Sequence, residues 1–192
     1  MNNTELQKAL QIIQFTNNSL FLTGKAGTGK STFLRYIAAT TKKKHIILAP
    51  TGIAAINAGG STLHSFFKLP FYPLVPNDKR YSTRNLRSTM KYNSDKCKLL
   101  REVELIIIDE ISMMHDFRLD LVDEICRLVR DKDEPFGGIQ VVMSGDFFQL
   151  PPINRPDSLN GGFIVNSQVW QELNPVVLYL EEQFRQDDGD LL

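Results

Sequence analysis

The stretch Gly24-Lys25-Ala26-Gly27-Thr28-Gly29-Lys30-Ser31 decides the fold class of this chain. It fits the pattern G-x-x-x-x-G-K-[ST], in which glycines let consecutive backbone N–H groups turn toward a phosphate. The apolar run 19–23 before it predicts a buried strand, and the run 32–39 after it predicts a helix. This strand–loop–helix context is what the pattern requires, and a glycine-rich turn that matches by accident rarely has it. We therefore predict a site for a nucleoside triphosphate.

Each part of the motif has an expected role in binding ATP. Lys30 can reach the β- and γ-phosphates, and we expect its charge to face this ligand and not the core. The Ser31 hydroxyl can ligate Mg²⁺. The positive end of the following helix adds to the attraction for phosphate. The remaining ATP contacts are expected from the loop and the first helical turn, at Gly24, Ala26, Gly27, Thr28, Gly29 and Thr32.

Composition limits the class of protein. The chain has 192 residues and a formal net charge of zero, so any binding to nucleic acid must come from a local basic patch. Two cysteines, Cys97 and Cys126, form neither a disulfide framework nor a metal cluster, which suits a reducing compartment. The sequence has no membrane-length apolar run and no signal-peptide pattern. We expect a monomeric cytoplasmic protein of a bacterium that binds no membrane, and a nuclear protein stays open.

Gln7 has two possible roles. Thr4-Glu5-Leu6-Gln7 fits the S/T-x-x-E/Q capping box, in which the glutamine side chain returns to the first residue of the helix. A glutamine amide can also donate and accept hydrogen bonds at the edge of an adenine base. From the residues alone, capping is the favoured role.

A second predicted strand, 45–49, is followed by Pro50-Thr51-Gly52 and a helix that ends at Gly59-Gly60. The segment 61–67 then predicts a short capped turn that carries His64 and Phe66. A lone histidine is usually a satisfied surface or core residue. Here it stands among hydroxyls and aromatic rings, a mixture that suits phosphates and bases.

The stretch 68–98 differs from the rest of the chain and predicts an inserted subdomain. It has clustered prolines and interleaved aromatic residues, and its net charge is +6. Basic and aromatic side chains together suit a nucleic-acid strand, because charges follow phosphates and rings stack on bases. A solvated basic loop is the alternative. The eight basic residues are Lys68, Lys79, Arg80, Arg84, Arg87, Lys91, Lys96 and Lys98.

The apolar run 103–108 predicts a buried parallel strand, and Asp109-Glu110 follows it directly. Downstream of a P-loop, this is the Walker B arrangement. Asp109 would hold Mg²⁺, and Glu110 would orient or deprotonate the attacking water. The alternative is that the pair caps the helix predicted over 116–130.

Further strands are predicted at 139–144 and 176–180, with a short helix over about 166–173 between them. Gln149 lies beyond the first of these strands, where an amide can contact a γ-phosphate or the lytic water, unless it is only a polar turn residue. Strands that alternate with helices predict an α/β fold with a mainly parallel sheet. Ligands of such sheets bind outside the carboxyl ends of the strands. The P-loop, Thr51, the Asp109–Glu110 pair and Gln149 should therefore meet at one edge.

Several stretches together resemble the Pif (petite integration frequency) branch of superfamily 1 DNA helicases, across nearly the whole chain. They are Gln7, GKAGTGKS at 24–31, APTGIAAINAGGSTLHSFF at 49–67, IIIDEISMM at 106–114 and SGDFFQLPPI at 144–153. The resemblance implies a RecA-like P-loop NTPase domain that uses ATP and Mg²⁺ to drive 5′-to-3′ movement on single-stranded DNA. It also implies partners such as forked or structured DNA, and it favours adenine contact for Gln7.

The resemblance assigns further residues. Thr51, Gly52 and His64 fall on segments that touch single-stranded DNA in the family, and Phe66 lies in the same stretch. The segment 68–98 matches a small subdomain thought to help separate strands. From its positive charge, and not from the resemblance, we expect Arg80, Arg84 and Arg87 to contact DNA. The segment 181–186 resembles the motif whose arginine meets the γ-phosphate, which gives that catalytic role to Arg185.

The domain organisation expected from the resemblance is a first RecA-like domain made of 1–67 and 99–192, interrupted by the insertion 68–98. We expect the second RecA-like domain to be absent, so that the chain resembles the N-terminal half of a helicase and is poorly active alone. An ATP-binding module without turnover is the main alternative. A small-molecule kinase is a third hypothesis, disfavoured because no second substrate pocket or lid motif is visible.

Overall fold

The computed structural model describes residues 4–69, 79, 82, 85, 86, 88, 94–147 and 161–181. These residues form an α/β domain in which helices cover both faces of a parallel sheet. The helices are α1 Thr4–Phe15, α2 Lys30–Thr40, α3 Gly52–Ala58, α4 Leu63–Phe67, α5 Ser94–Glu102, α6 Asp116–Arg130 and α7 Gln168–Leu173. The strands are β1 Leu20–Gly24, β2 His45–Ala49, β3 Ser61–Thr62, β4 Leu105–Ile108, β5 Gln140–Ser144 and β6 Val176–Leu180. Short 3₁₀ helices span Ile111–Met113, Pro135–Gly138 and Ile164–Asn166.

The strand order in the sheet is β3-β2-β4-β5-β1-β6, and each neighbouring pair is parallel. The predicted α/β class with a mainly parallel sheet is confirmed. Because the strands are parallel, their carboxyl ends all lie at the same edge. The segments that follow β1, β2, β4 and β5 therefore begin side by side.

The burial of strand β4 explains why its sequence is a continuous apolar run. All four of its residues are buried, since helices cover both faces of the sheet. Leu105 and Ile107 join the core on the side of α1 and α2, and Ile106 and Ile108 join the core on the side of α5, α6 and α7. The Asp109-Glu110 turn thus follows a central strand that is buried on both faces.

Helix α6 begins and ends where the sequence predicts, at Asp116 and Arg130. Phe117 and Leu128 are half-buried and pack against the core. The fully buried side chains include Leu119, Val122 and Cys126.

In the described ranges, no helix is both long and apolar enough to cross a membrane.

Helix α5 crosses the boundary predicted between the insertion and the main domain. The prediction ends the insertion at Lys98, whereas α5 continues without a break from Ser94 to Glu102. Cys97 and Leu100 are both buried in the core cluster that contains α6. The last part of the predicted insertion is therefore packed into the domain. The existence and role of the subdomain stay predictions, because most of 70–93 lies outside the described residues.

Candidate functional site

Four polar segments meet at the carboxyl edge of the sheet. The P-loop follows β1, Thr51 follows β2, Asp109-Glu110 follows β4, and Gly145-Asp146 follows β5. These four strands are consecutive neighbours in the order β2-β4-β5-β1. The sheet thus supplies the shared edge that the sequence predicted for the first three segments.

The P-loop is shaped by two glycines with different constraints. Gly24 has φ 146°, and a Cβ atom on it would clash with the carbonyl oxygen of Leu180 on β6. Gly29 has φ 82° and ψ 19°, a left-handed conformation, and precedes the first residue of α2. Between them the backbone turns tightly, since the Thr28 hydroxyl donates to the Lys25 carbonyl at 2.9 Å. The loop delivers the N-terminus of α2 to the edge of the sheet.

Lys30 is the first residue of α2, and its side chain is 8% exposed. Its Nζ donates to the carbonyl oxygens of Gly24 at 2.7 Å and of Lys25 at 3.0 Å. The sequence-based expectation that Lys30 faces only a ligand is therefore incomplete, because the ammonium group also holds the loop together. Its positive charge also acts on Glu110, where it partly opposes a rise in the pKa of the carboxyl group that burial causes.

Asp109 follows β4 and is 3% exposed. The Ser144 hydroxyl, at the end of β5, donates to Asp109 Oδ1. The backbone N–H of Glu110 donates to the same oxygen at 3.0 Å. These two bonds fix the carboxylate at the sheet edge, and both are accepted by Oδ1.

Glu110 combines an unusual backbone with an unusual environment. Its φ of 55° and ψ of 36° are left-handed, which is uncommon for a residue with a side chain. Burial is the largest cause that raises the pKa of its carboxyl group, and the negative charge of Asp109 raises it further. The positive charge of Lys30 opposes this rise in part, and Asp146 adds a smaller rise. A carboxylate with a raised pKa accepts a proton more readily, as a general base must.

The alternative role of the acidic pair, as a cap of α6, is wrong. The residue that precedes α6 is His115, five positions after Glu110. Glu110 does precede the 3₁₀ helix Ile111–Met113, but its side chain makes no capping bond there.

The donor set suits a hard divalent cation. Ser31 lies in the first turn of α2 and offers a hydroxyl, and Asp109 offers a carboxylate, the oxygen ligands that Mg²⁺ prefers. Within the described ranges, no group of three or more His, Cys, Asp or Glu residues could hold a metal by itself.

The other predicted ATP-site residues lie in the loop and in the helices beside it, and their contacts with ATP stay predictions. Ala26 and Gly27 are exposed in the loop, Thr28 is buried, and Ser31 and Thr32 are half-buried at the start of α2. Gln7 is exposed in α1, whose opposite face packs into the core through Leu6 and Ala9. Both roles of Gln7, capping and adenine contact, stay predictions.

The predicted DNA segments begin at the same edge. Thr51 precedes α3, and its hydroxyl accepts the Ala54 N–H at 3.2 Å, so that it caps the helix. Gly52 is exposed. Phe66 is half-buried in α4, where its ring packs edge-on against Phe67 at 4.9 Å and Lys96 lies 5.3 Å from its centroid. Lys96, counted above within the basic insertion, also donates to the Phe66 carbonyl and so serves to hold α4.

His64 is half-buried in α4, and the Arg118 guanidinium of α6 donates to its Nε2. Burial lowers the pKa of His64, and the positive charge of Arg118 lowers it further, to about 4. At neutral pH this ring is uncharged. The predicted contact of His64 with DNA would therefore be a hydrogen bond or a ring contact and not an ion pair.

Five predicted site residues lie outside the described residues: Gln149, Arg185, Arg80, Arg84 and Arg87. Their roles stay predictions. Three residues that the sequence did not single out lie in the site or beside the predicted DNA segment: Ser144, Asp146 and Arg118. Ser144 ends β5 and Asp146 lies two residues beyond it, so the sequence does signal their position at a strand end, although it does not signal their partners. Arg118 had no such signal, because its contact joins two helices that are far apart in sequence.

The chain matches the family described as PIF1-like helicase over residues 3–191. It is 38% identical to the ATP-dependent DNA helicase PIF7 of Trypanosoma brucei brucei, and the match covers 97% of this chain and 18% of that protein. The crystal structure of Bacteroides Pif1 with ADP-AlF₃ and single-stranded DNA matches with a TM-score of 0.84 at 43% identity. That match covers 98% of this chain and 44% of the Bacteroides chain.

A structure of DNA unwinding at forked double-stranded DNA by two coordinating Pif1 helicases matches with a TM-score of 0.83 at 43% identity. The match covers 98% of this chain and 46% of that chain. This chain therefore spans less than half the length of these solved proteins and about a fifth of the PIF7 relative.

Proposed function

Because this chain belongs to the PIF1-like helicase family, we propose that it is the ATPase portion of an ATP-dependent 5′-to-3′ DNA helicase. In this proposal, ATP hydrolysis drives movement along single-stranded DNA and separation of duplex strands. The observation that carries it is the convergence of the P-loop, the Asp109-Glu110 turn and the Thr51 segment on one sheet edge. The two ligands of the matching Bacteroides protein, ADP-AlF₃ and single-stranded DNA, support nucleotide and DNA as partners here.

The residues of the P-loop would bind and orient ATP. Loop N–H groups and Lys30 hold the phosphates, and Gln7 contacts the adenine. Glu110 takes a proton from the attacking water, a role that its raised pKa supports. Gln149 and Arg185 are proposed to contact the γ-phosphate.

Mg²⁺ is proposed as the second cofactor, held by Ser31 and Asp109. When bound, it neutralises charge on the β- and γ-phosphates. The chain's own contribution is to keep the Asp109 carboxylate fixed through the bonds that its Oδ1 accepts from Ser144 and from the Glu110 N–H.

DNA is proposed to cross the surface formed by Thr51, Gly52, His64 and Phe66, and to continue over the basic stretch that carries Arg80, Arg84 and Arg87. Support comes from the position of α3 and α4, which follow β2 and β3 at the same edge as the nucleotide site. Forked or structured DNA is the proposed full substrate, in line with the forked DNA bound by the related Pif1 pair.

Three broader features are proposed on the same basis. The chain comprises one RecA-like domain with an insertion within 68–98, and a whole helicase would add a second such domain. The protein acts as a monomer, although two Pif1 helicases coordinate in the related fork structure. The bacterial cytoplasm is the proposed compartment, which suits the buried thiols of Cys97 and Cys126.

The test is ATP turnover by this chain with and without single-stranded DNA, alongside binding of a fluorescent ATP analogue. We expect nucleotide binding, and weak turnover that rises when DNA is added and disappears in Lys30→Ala. Binding without turnover under either condition would favour the ATP-binding module. Absence of nucleotide binding would overturn the proposal.

A further inference from the structure

Ser144 is the last residue of β5 and is fully buried, with 0% exposure. In the parallel pair β4–β5, Ile108 is in register with Met143. The next residues along the two strands are Asp109 and Ser144. Sheet register therefore places the serine beside the carboxylate.

The Ser144 hydroxyl makes two contacts with the turn. It donates to Asp109 Oδ1 and accepts the Glu110 N–H at 3.4 Å. The same N–H donates to Asp109 Oδ1 at 3.0 Å, so the three groups form a closed ring of hydrogen bonds. One hydroxyl thus touches both residues that the proposed mechanism uses.

These contacts bear on the backbone of Glu110. A left-handed conformation at a residue with a side chain persists only when its surroundings hold it. The Glu110 N–H, held by Ser144 and Asp109, is part of that restraint. The direction of the Glu110 side chain depends on this backbone conformation, and so does its reach toward a water molecule.

We infer that Ser144 is a positioning residue for ATP hydrolysis, which aims the Asp109 carboxylate at the metal and holds the Glu110 turn in its catalytic conformation. This inference rests on the proposed function. The donation to Oδ1 fixes the rotation of the carboxylate and so directs Oδ2 toward a cation. Substitution of a residue that hydrogen-bonds to a metal ligand commonly lowers metal affinity or activity by about ten- to a hundredfold.

The experiment compares Ser144→Ala with a matched control, Ser19→Ala. Ser19 is also a buried serine that bonds to β5, since its hydroxyl accepts the Val141 N–H at 3.0 Å. It lies at the opposite end of that strand, away from the nucleotide site. Both substitutions remove one buried hydroxyl, and both should lower thermal stability by a similar amount.

Binding of fluorescent ADP is titrated with Mg²⁺ and also measured in EDTA, with Asp109→Asn as the reference. We expect Ser144→Ala to raise the half-saturating Mg²⁺ concentration about tenfold. Affinity in EDTA should equal that of wild type, and Ser19→Ala should match wild type throughout. Should the alanine variant not fold, Ser144→Cys, which offers only a weak donor at similar size, should show the same shift.

Turnover gives a second readout. Ser144→Ala should lower the DNA-stimulated kcat about tenfold or more and leave the KM for ATP little changed. If Asp109→Asn raises the Mg²⁺ requirement while Ser144→Ala behaves like Ser19→Ala, the positioning role is overturned and the proposed function stands. If wild type binds no nucleotide, the proposed function fails and the inference fails with it. If wild type binds nucleotide but Asp109→Asn leaves the Mg²⁺ dependence unchanged, the metal assignment and the inference fail, whereas nucleotide binding stands.

Discussion

The ammonium group of Lys30 donates a hydrogen bond of 2.7 Å to the carbonyl oxygen of Gly24, which ties the first residue of α2 to the last residue of β1. A second bond runs to the Lys25 carbonyl. The lysine proposed to hold phosphate therefore also spans the loop that surrounds the phosphate. Its removal should affect both nucleotide binding and the order of the loop.

Lys30→Ala should weaken nucleotide binding at least about tenfold, because a charged hydrogen-bond donor to phosphate is lost. It should also lower the free energy of unfolding by about 1–2 kcal/mol, through the two lost loop bonds. Fluorescent nucleotide titration and urea unfolding measure the two effects. Lys25→Ala, an exposed lysine in the same loop, is the control and should show a much smaller loss of both. Unchanged affinity in Lys30→Ala would contradict the proposed role.

Glu110→Gln should keep binding of nucleotide with Mg²⁺, because Asp109 and Ser31 remain. In a full-length enzyme, we expect kcat to fall by a factor on the order of hundreds or more, as for loss of a general base. Steady-state turnover together with nucleotide affinity separates the two effects. A variant with near-normal turnover would show that another group activates the water.

Charge reversal at Arg80, Arg84 and Arg87 should weaken binding to single-stranded DNA of any sequence. The affinity of wild type should fall with salt by roughly 0.7 log units per tenfold salt increase for each phosphate neutralised, and the triple variant should show a flatter slope. Base identity should matter little, because stacking on rings tolerates any base. ATP binding should be almost unaffected. A salt titration of single-strand binding measures these slopes.

The matched control for that experiment reverses Lys42, Lys44 and Lys132, three exposed lysines at the opposite edge of the sheet. This variant changes the net charge by the same amount and should keep the wild-type slope. Identical slopes in all three proteins would mean that the basic stretch is only a solvated loop. The DNA path would then have to lie elsewhere.

His64 makes folding stability depend on pH in a defined direction. Its pKa is about 4 in the folded chain, against an ordinary value of about 6.5 when unfolded. Between these values the unfolded chain binds more protons, so stability falls as pH is lowered from about 6.5 toward 4. From pH 7 to pH 5, the free energy of unfolding should therefore drop more for wild type than for His64→Gln.

Urea unfolding of both proteins at the two pH values measures this difference. The drop in the free energy of unfolding of Arg118→Gln should lie between those of wild type and His64→Gln. Loss of the guanidinium charge removes only the smaller of the two causes that lower the pKa of His64. An equal drop in wild type and His64→Gln would mean that His64 takes up its proton equally in the folded and unfolded chains.

Much of this fold is visible in the sequence. The bounds of β2, β6 and α6 agree with prediction, because each is a periodic or continuous apolar segment with clear ends. Strand β3 was missed, since its two residues are too few to form a pattern. Helix α5 was missed because it carries only two buried side chains, Cys97 and Leu100, within a charged segment.

The residues of the site also fall into two groups, those that the sequence predicts and those that only the structure reveals. Lys30 and Asp109 belong to motifs in which spacing along the chain carries the information. Ser144 and Arg118 act through partners 35 and 54 positions away, on a neighbouring strand and a separate helix. Such contacts depend on strand register and helix packing, which no local pattern encodes. Sequence reasoning therefore found the groups proposed to touch the ligands and missed the groups that hold them in place.

Gly24 is required by the packing of the sheet itself, whereas Lys30 and Glu110 serve the proposed nucleotide site. Its neighbour Leu180 leaves no room for a Cβ atom, so the packing of β6 against β1 demands glycine there whether or not a nucleotide ever binds. A relative of this domain that no longer bound ATP could replace Glu110, and could replace Lys30 at the cost of its two loop bonds, yet it would still need glycine at position 24. Glycine at position 24 therefore indicates shared ancestry of the fold, whereas lysine at position 30 indicates whether a relative still binds ATP.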